Sequence, residues 1–202
     1  MDVMVWWTTL TAADRSVLDL LDPTERARVD SLDRPADRAR SLLGAALLRV
    51  AVADRMGVSP ADVVIDRTCN ECGGPHGAPN IVGPGTPAQW AAVSHSGLLV
   101  VVAVSGHGPV GVDVQRLSDL DSAARGPRWV RSEALLKAQA TAHRTLDPAR
   151  PTEVGCPVVR ELSAPLDGYA AALAVMAQGT LKIAVRHWPP EPGRLVRSTR
   201  IS

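Results

Sequence analysis

The 202-residue chain has no phenylalanine and a single tyrosine, so five tryptophans supply nearly all of its aromatic content. It has only two lysines, Lys137 and Lys182, an excess of arginine that reflects codon composition more than function, and three cysteines. These scarcities exclude several classes. A small, odd cysteine count without a charged-then-apolar leader argues against a disulfide-stapled secreted domain. The longest apolar stretches, Leu98 to Val104 and Tyr169 to Ala177, are far short of a membrane span. A balance of 22 basic against 21 acidic residues gives no global basic field of the kind that drives non-specific nucleic-acid binding. The expectation is a soluble cytoplasmic protein that binds neither membrane nor nucleic acid and recognises any partner locally. What is present is a hydrophobic fraction of 46%, enough for a packed core in one large domain or two small ones.

Along the chain, Met4 to Trp7 reads as an N-terminal strand. Asp22-Pro23-Thr24-Glu25 carries a capping Asp, Pro at the first helical position and Glu in the first turn, a helix start that runs out near Pro35. From Ala36, apolar residues at Ala39, Leu42, Leu43, Ala46, Leu47 and Val50 recur at helical spacing up to Met56, where Gly57 can terminate the helix. Ala61 to Asp66 leads into a short strand, and Cys69 to Pro87 is a Gly/Pro-rich loop long enough to suggest function. Trp90–Val93, Leu98–Val104 and Val110–Val114 read as three strands whose short connections favour antiparallel pairing. Trp129 to Ala142 reads as a helix, and Tyr169–Met176 with Thr180–His187 as a late hairpin around Gln178-Gly179. The Pro-rich, basic tail from Pro189 is expected to be solvated. Helices followed by strands occur twice in outline, which suggests two similar halves.

Four local patterns carry chemistry. In Val110 to Gln115 the valines alternate with Gly111, Asp113 and Gln115, so a strand puts Asp113 and Gln115 on one face about 7 Å apart. A small hard cation such as Mg²⁺ can sit between two such oxygens, although a solvated strand face would look the same. Glu133 and Lys137 are four apart on one helix face, either as an ordinary surface pair with Trp129 and Leu136 marking the buried side, or as a ligand or base beside a phosphate-binding cation. Ser94-His95-Ser96-Gly97 joins two strands, where His95 can meet an anion or satisfy a turn. Cys69-x-x-Cys72-x-x-x-His76 has half the ligand pattern of a zinc site, with Cys156 and His107 as possible completions that lack motif context. There is no Walker loop, GxSxG or dinucleotide fingerprint.

In this order, Arg40-Ser41-Leu42-Leu43-Gly44, His76-Gly77-Ala78-Pro79, Val93 to Gly97, Val110 to Asp113 and Trp129 to Lys137 resemble the Sfp-type 4′-phosphopantetheinyl transferases from Pro23 to about Ala138. The resemblance implies an α+β fold of two pseudo-symmetric halves, residues 1–105 and 106–188, with a flexible tail over 189–202 and coenzyme A in the cleft between the halves. It implies transfer of the phosphopantetheine arm to a serine of an acyl or peptidyl carrier protein of fatty-acid, polyketide or non-ribosomal peptide assembly, with release of 3′,5′-ADP, by a monomer. Carried over, Asp113, Gln115 and Glu133 hold Mg²⁺, with Glu133 also the base. Lys137 acts in catalysis and holds the pyrophosphate with His95 and the adjoining Ser94, while Arg28, Arg40 and Ser41 meet the nucleotide side.

Three residues depart from the family pattern. Gln115 replaces a second acid, which lowers the expected affinity for Mg²⁺. Ala78 replaces a phosphate-binding basic residue, and Ser132 a common Lys. Only fifteen residues separate Asp113 from Trp129, which implies a trimmed carrier-receiving flap. The alternatives are a homologue that binds coenzyme A or carrier protein without efficient transfer, and a structural zinc module built on the Cys69 loop.

Overall fold

Period-two alternation in the strands decides the architecture, because several strands are apolar on both faces and each face must be covered. The computed structural model describes residues 1–69, 71–82, 89–145 and 156–190. In chain order these form β1 (Asp2–Thr9), α1 (Pro23–Asp30), α2 (Pro35–Met56), β2 (Val64–Asp66), β3 (Asn80–Val82), β4 (Trp90–Ser96), β5 (Leu99–Ser105), β6 (Val110–Arg116), α3 (Gly126–Thr145), β7 (Pro157–Glu161), β8 (Tyr169–Met176) and β9 (Lys182–His187). One sheet has the strand order β2-β3-β4-β5-β1-β9 and the other β6-β8-β7.

On the first sheet Met4, Trp6, Val100, Val102 and Val104 face α2, against Leu43, Ala46, Leu47 and Val52. The intervening Val3, Val5, Trp7, Leu99, Val101 and Ala103 face the second sheet, against Val110, Val112, Val114, Leu173 and Val175. On the far side Ala172 and Ala174 meet Val130, Ala134 and Ala138 of α3. The result is an α+β sandwich of four layers, helix, sheet, sheet, helix. Helix α2 spans the expected residues, and Gly57 ends it at φ 69°, its N–H and that of Val58 both returning to the Ala53 carbonyl.

Three sequence expectations need correction. Strands β8 and β9 are not a hairpin: β8 already has β6 and β7 on its two edges, so β9 crosses to pair in parallel with β1, the open edge of the other sheet. Likewise β4 and β5 pair antiparallel, but β5 is flanked by β4 and β1, which sends β6 into the second sheet. Strands β3 and β7 went unread, being short and set in Pro-rich surroundings. The basic tail bearing Arg194, Arg197 and Arg200 lies outside the described residues. No helix among the described residues is long and apolar enough to cross a membrane.

Helix α3 lies unusually close to β6. A Cβ built on Gly111 would stand 1.9 Å from the Ala134 carbonyl oxygen and 2.4 Å from the Ala138 nitrogen, both backbone atoms that cannot rotate away. Gly111→Ala is therefore expected to cost about 3 kcal/mol, the upper end of overpacking penalties. Chemical denaturation measures it, and a change under about 0.5 kcal/mol, the range of a neutral surface site, would show that the contact has slack.

Candidate active site

The wall formed by α1 and α2 is fixed by one buried arginine. Asp22 and Glu25 form a reciprocal capping box at the start of α1, with Glu25 N–H donating to Asp22 at 2.9 Å and Asp22 N–H to Glu25 at 3.0 Å. Arg49, 4% exposed within the apolar stripe of α2, donates to Glu25 and Asp22, each at 2.8 Å, and to the Val63 carbonyl at 2.6 Å. The cap is thus clamped onto α2, and α1 is held where Arg28 reaches the cleft and the Pro75 carbonyl, 3.3 Å away. One turn into α2, Arg40 is aimed by the Gly97 carbonyl at 3.0 Å and by Asp37 at 2.6 Å.

The opposite wall is built by β6 and α3. Because α3 sits so close to β6, Lys137 Nζ reaches Asp113 at 2.6 Å and Ser94 Oγ at 2.9 Å. Ser94 in turn donates to the same Asp113 oxygen at 2.7 Å and accepts from the Val114 N–H at 3.4 Å. Asp113 is nearly buried, so the ammonium and hydroxyl compensate a carboxylate that water largely cannot. Lys137 has three N–H donors, two of which are committed here. Gln115 turns its amide N–H to the Arg116 carbonyl at 3.0 Å, which leaves its carbonyl oxygen as an acceptor. Glu133 is half-buried and has no hydrogen-bond or ion-pair partner among the described residues.

Strand alternation divides the β4 terminus between the two walls. Ser94 points to β6, whereas His95 lies on the opposite strand face, toward α2. Crowding by the surrounding protein, then the charges of Arg40, Lys137 and Arg28, push the His95 imidazole below its usual pKa.

Arg28, Arg40, Ser41, Ser94, His95, Asp113, Gln115, Glu133 and Lys137, all singled out in the sequence, line one cleft of about 790 Å³. That volume suits a small-molecule or cofactor site. The cleft also takes in Asp66, Arg67, Thr68 and the Asp22–Glu25 cap, which the sequence reading missed as cleft residues. The one available signal was Arg49, a charge inside an apolar stripe. Trp129 and Leu136 do not mark the buried side of α3: they are 48% and 57% exposed, and Trp129 lines the cleft. The buried stripe is Val130, Ala134 and Ala138, with the two alanines where α3 comes closest to Gly111 of β6.

For a divalent cation the donor set is consistent: two carboxylates and a carboxamide oxygen, all hard oxygens, from Asp113, Glu133 and Gln115 on one cleft. Such a set lies beside a cluster of cations, Arg28, Arg40 and Lys137, on the same cleft.

The family profile described as 4′-phosphopantetheinyl transferase, N-terminal, matches residues 6–107, just over half of the chain. A Synechocystis sp. protein provisionally named a 4′-phosphopantetheinyl transferase, slr0495, is 31% identical over 96 residues. That match covers 48% of this chain and 37% of the Synechocystis protein's length. The chain belongs to the 4′-phosphopantetheinyl transferase family, a family of transferases.

The lowered pKa favours the neutral form of His95 in the free protein, and an anion that offset the adjacent cations would favour its protonation. The affinity for inorganic pyrophosphate should therefore gain a contribution as pH falls below neutrality and lose it as pH rises. Calorimetry in buffers of different ionisation enthalpy is expected to show proton uptake that is absent in His95→Ala. Equal uptake in both proteins would remove His95 from the anion site.

Proposed function

We propose that this protein transfers the 4′-phosphopantetheine arm of coenzyme A to a serine of an acyl or peptidyl carrier protein, with Mg²⁺, releasing 3′,5′-ADP. The observation that carries this reading is the division of one cleft in a chain of this family. Arg28, Arg40, His95 and Lys137 supply positive or protonatable donors, while Asp113, Gln115 and Glu133 supply oxygen ligands.

In the reaction the carrier serine oxygen attacks the β-phosphorus of the coenzyme A pyrophosphate. The new O–P bond replaces the bond to the bridging oxygen, which leaves with 3′,5′-ADP. Asp113, Gln115 and Glu133 would hold the metal ion, which when bound neutralises charge on the pyrophosphate oxygens. Lys137 offers its remaining N–H to a phosphate oxygen while Asp113 and Ser94 fix its position. Arg28 and Arg40 meet the nucleotide-side phosphates, Arg40 with a guanidinium already oriented by Gly97 and Asp37. Ser41 adds a hydroxyl to the same wall. Glu133, without a partner among the described residues, accepts the serine proton directly or through a water.

A second reading rests on Gln115 and Ala78, a lost negative charge and a lost basic side chain. It is a homologue that binds coenzyme A or carrier protein without efficient transfer. Incubation with an apo carrier protein, coenzyme A and Mg²⁺, followed by mass spectrometry of the carrier, separates the two. The transferase reading predicts a carrier heavier by one phosphopantetheine group, and an unchanged mass across several carriers would contradict it. Glu133→Gln is expected to lower the rate by about 10²-fold or more, the usual weight of a general base, with stability within about 0.5 kcal/mol of the parent. Gln115→Glu should lower the Mg²⁺ concentration that gives half-maximal rate; an unchanged requirement would show that Gln115 is not a ligand.

A further inference from the structure

Outside the cleft, the loop after β2 gathers three soft ligands. The ligand atoms of Cys69, Cys72 and His76 all lie within 4.8 Å of one another, and Cys72 Sγ is 2.9 Å from His76 Nε2. Tetrahedral zinc, with Zn–S near 2.3 Å and Zn–N near 2.0–2.1 Å, places its ligands about 3.5–3.8 Å apart, between that 2.9 Å contact and the 4.8 Å limit on the cluster. The backbone is already folded for it. Gly73 N–H donates to the Cys69 carbonyl at 2.9 Å and Cys69 N–H to the Gly74 carbonyl at 2.7 Å, closing a tight turn around the two sulfurs.

A backbone donor also faces the sulfurs. Gly74 N–H is directed at Cys72 Sγ at 3.4 Å. Such N–H donors stabilise charge on a metal-bound sulfur as they do on a free thiolate.

We propose that Cys69 Sγ, Cys72 Sγ and His76 Nε2 bind one Zn²⁺, with water in the fourth position. The thiol protons are released on binding, and the imidazole keeps its proton on Nδ1. Cys72 and His76 are exposed, so the open position faces solvent. The third cysteine, Cys156, is exposed and stands outside the cluster. The ion has a structural task. Its ligands bracket Pro75, whose carbonyl receives Arg28, and the adjoining Gly77 N–H ties back to the Arg67 carbonyl at 2.7 Å. Pro75, Arg67 and Thr68 all line the cleft. Zinc would pin this rim beside Arg28.

Metal content tests the proposal without any turnover, so its outcome is independent of the transfer reaction. Protein expressed with ample zinc and freed of loosely bound metal should carry about one zinc per chain by elemental mass spectrometry. Cys69→Ser and Cys72→Ser should each lower this to under about a tenth, with circular dichroism confirming that they fold, and Cys156→Ser should leave it unchanged. After cobalt exchange, the parent should show a thiolate-to-cobalt charge-transfer band and the visible bands of a tetrahedral site. His76→Cys, which keeps three soft ligands, should retain the metal and strengthen the charge-transfer band. Zinc-free parent protein that takes up neither Zn²⁺ nor Co²⁺ stoichiometrically would overturn the proposal. Zinc retained by folded Cys69→Ser and Cys72→Ser variants, or lost in Cys156→Ser, would overturn it as well.

Discussion

The close approach of α3 to β6 at Gly111 is the constraint on which the site depends. Removing the Cβ at Gly111, and keeping Ala134 and Ala138 small on the facing helix, lets a helix backbone rest directly on a strand backbone. That proximity brings Lys137 within 2.6 Å of Asp113 and puts Glu133 on the same cleft. It also explains why the bulky residues of α3, Trp129 and Leu136, lie outside the interface. A larger residue in the stripe would lift the helix and separate the groups whose combination makes the site distinctive.

Electrostatic compensation follows the same logic throughout the cleft. Acids are numerous along its walls, yet Asp22 and Glu25 are answered by Arg49, Asp37 by Arg40, and Asp113 by Lys137. These pairs orient the cations as much as they neutralise them. Buried Arg49 adds little net stability as a charge pair. It does fix the angle of α1 and hence the position of Arg28. Glu133 stands apart with no partner among the described residues, the condition expected of a group kept for a metal or a proton.

Much of this was legible in the sequence, for identifiable reasons. Helix α2 announced itself through a long 3.6-residue period and Gly57, and β6 through the alternation of valines with Gly111 and Asp113. Asp113, Gln115, Glu133, Lys137 and His95 stood out by local pattern, whereas Arg28, Arg40, Ser41 and Ser94 followed from the family resemblance; all nine line the cleft. Pairing partners were not legible, since which strand occupies which edge depends on the whole sheet: β9 goes to β1 only because β8 has no free edge. The buried face of α3 was misread for a related reason. Burial there is decided by how near the helix can come, and that favours alanine over tryptophan, against the ordinary hydrophobic ranking.

The central claim is that the acidic and basic groups of this cleft act together, the acids on a metal ion and the cations on the phosphates of coenzyme A. The most direct test is the affinity for coenzyme A, measured by calorimetry with and without Mg²⁺, in the parent and in Asp113→Asn. The account predicts that Mg²⁺ tightens coenzyme A binding by about tenfold or more, and that Asp113→Asn removes most of this dependence. Coenzyme A affinity indifferent to Mg²⁺ in the parent protein, or no binding at all, would contradict it.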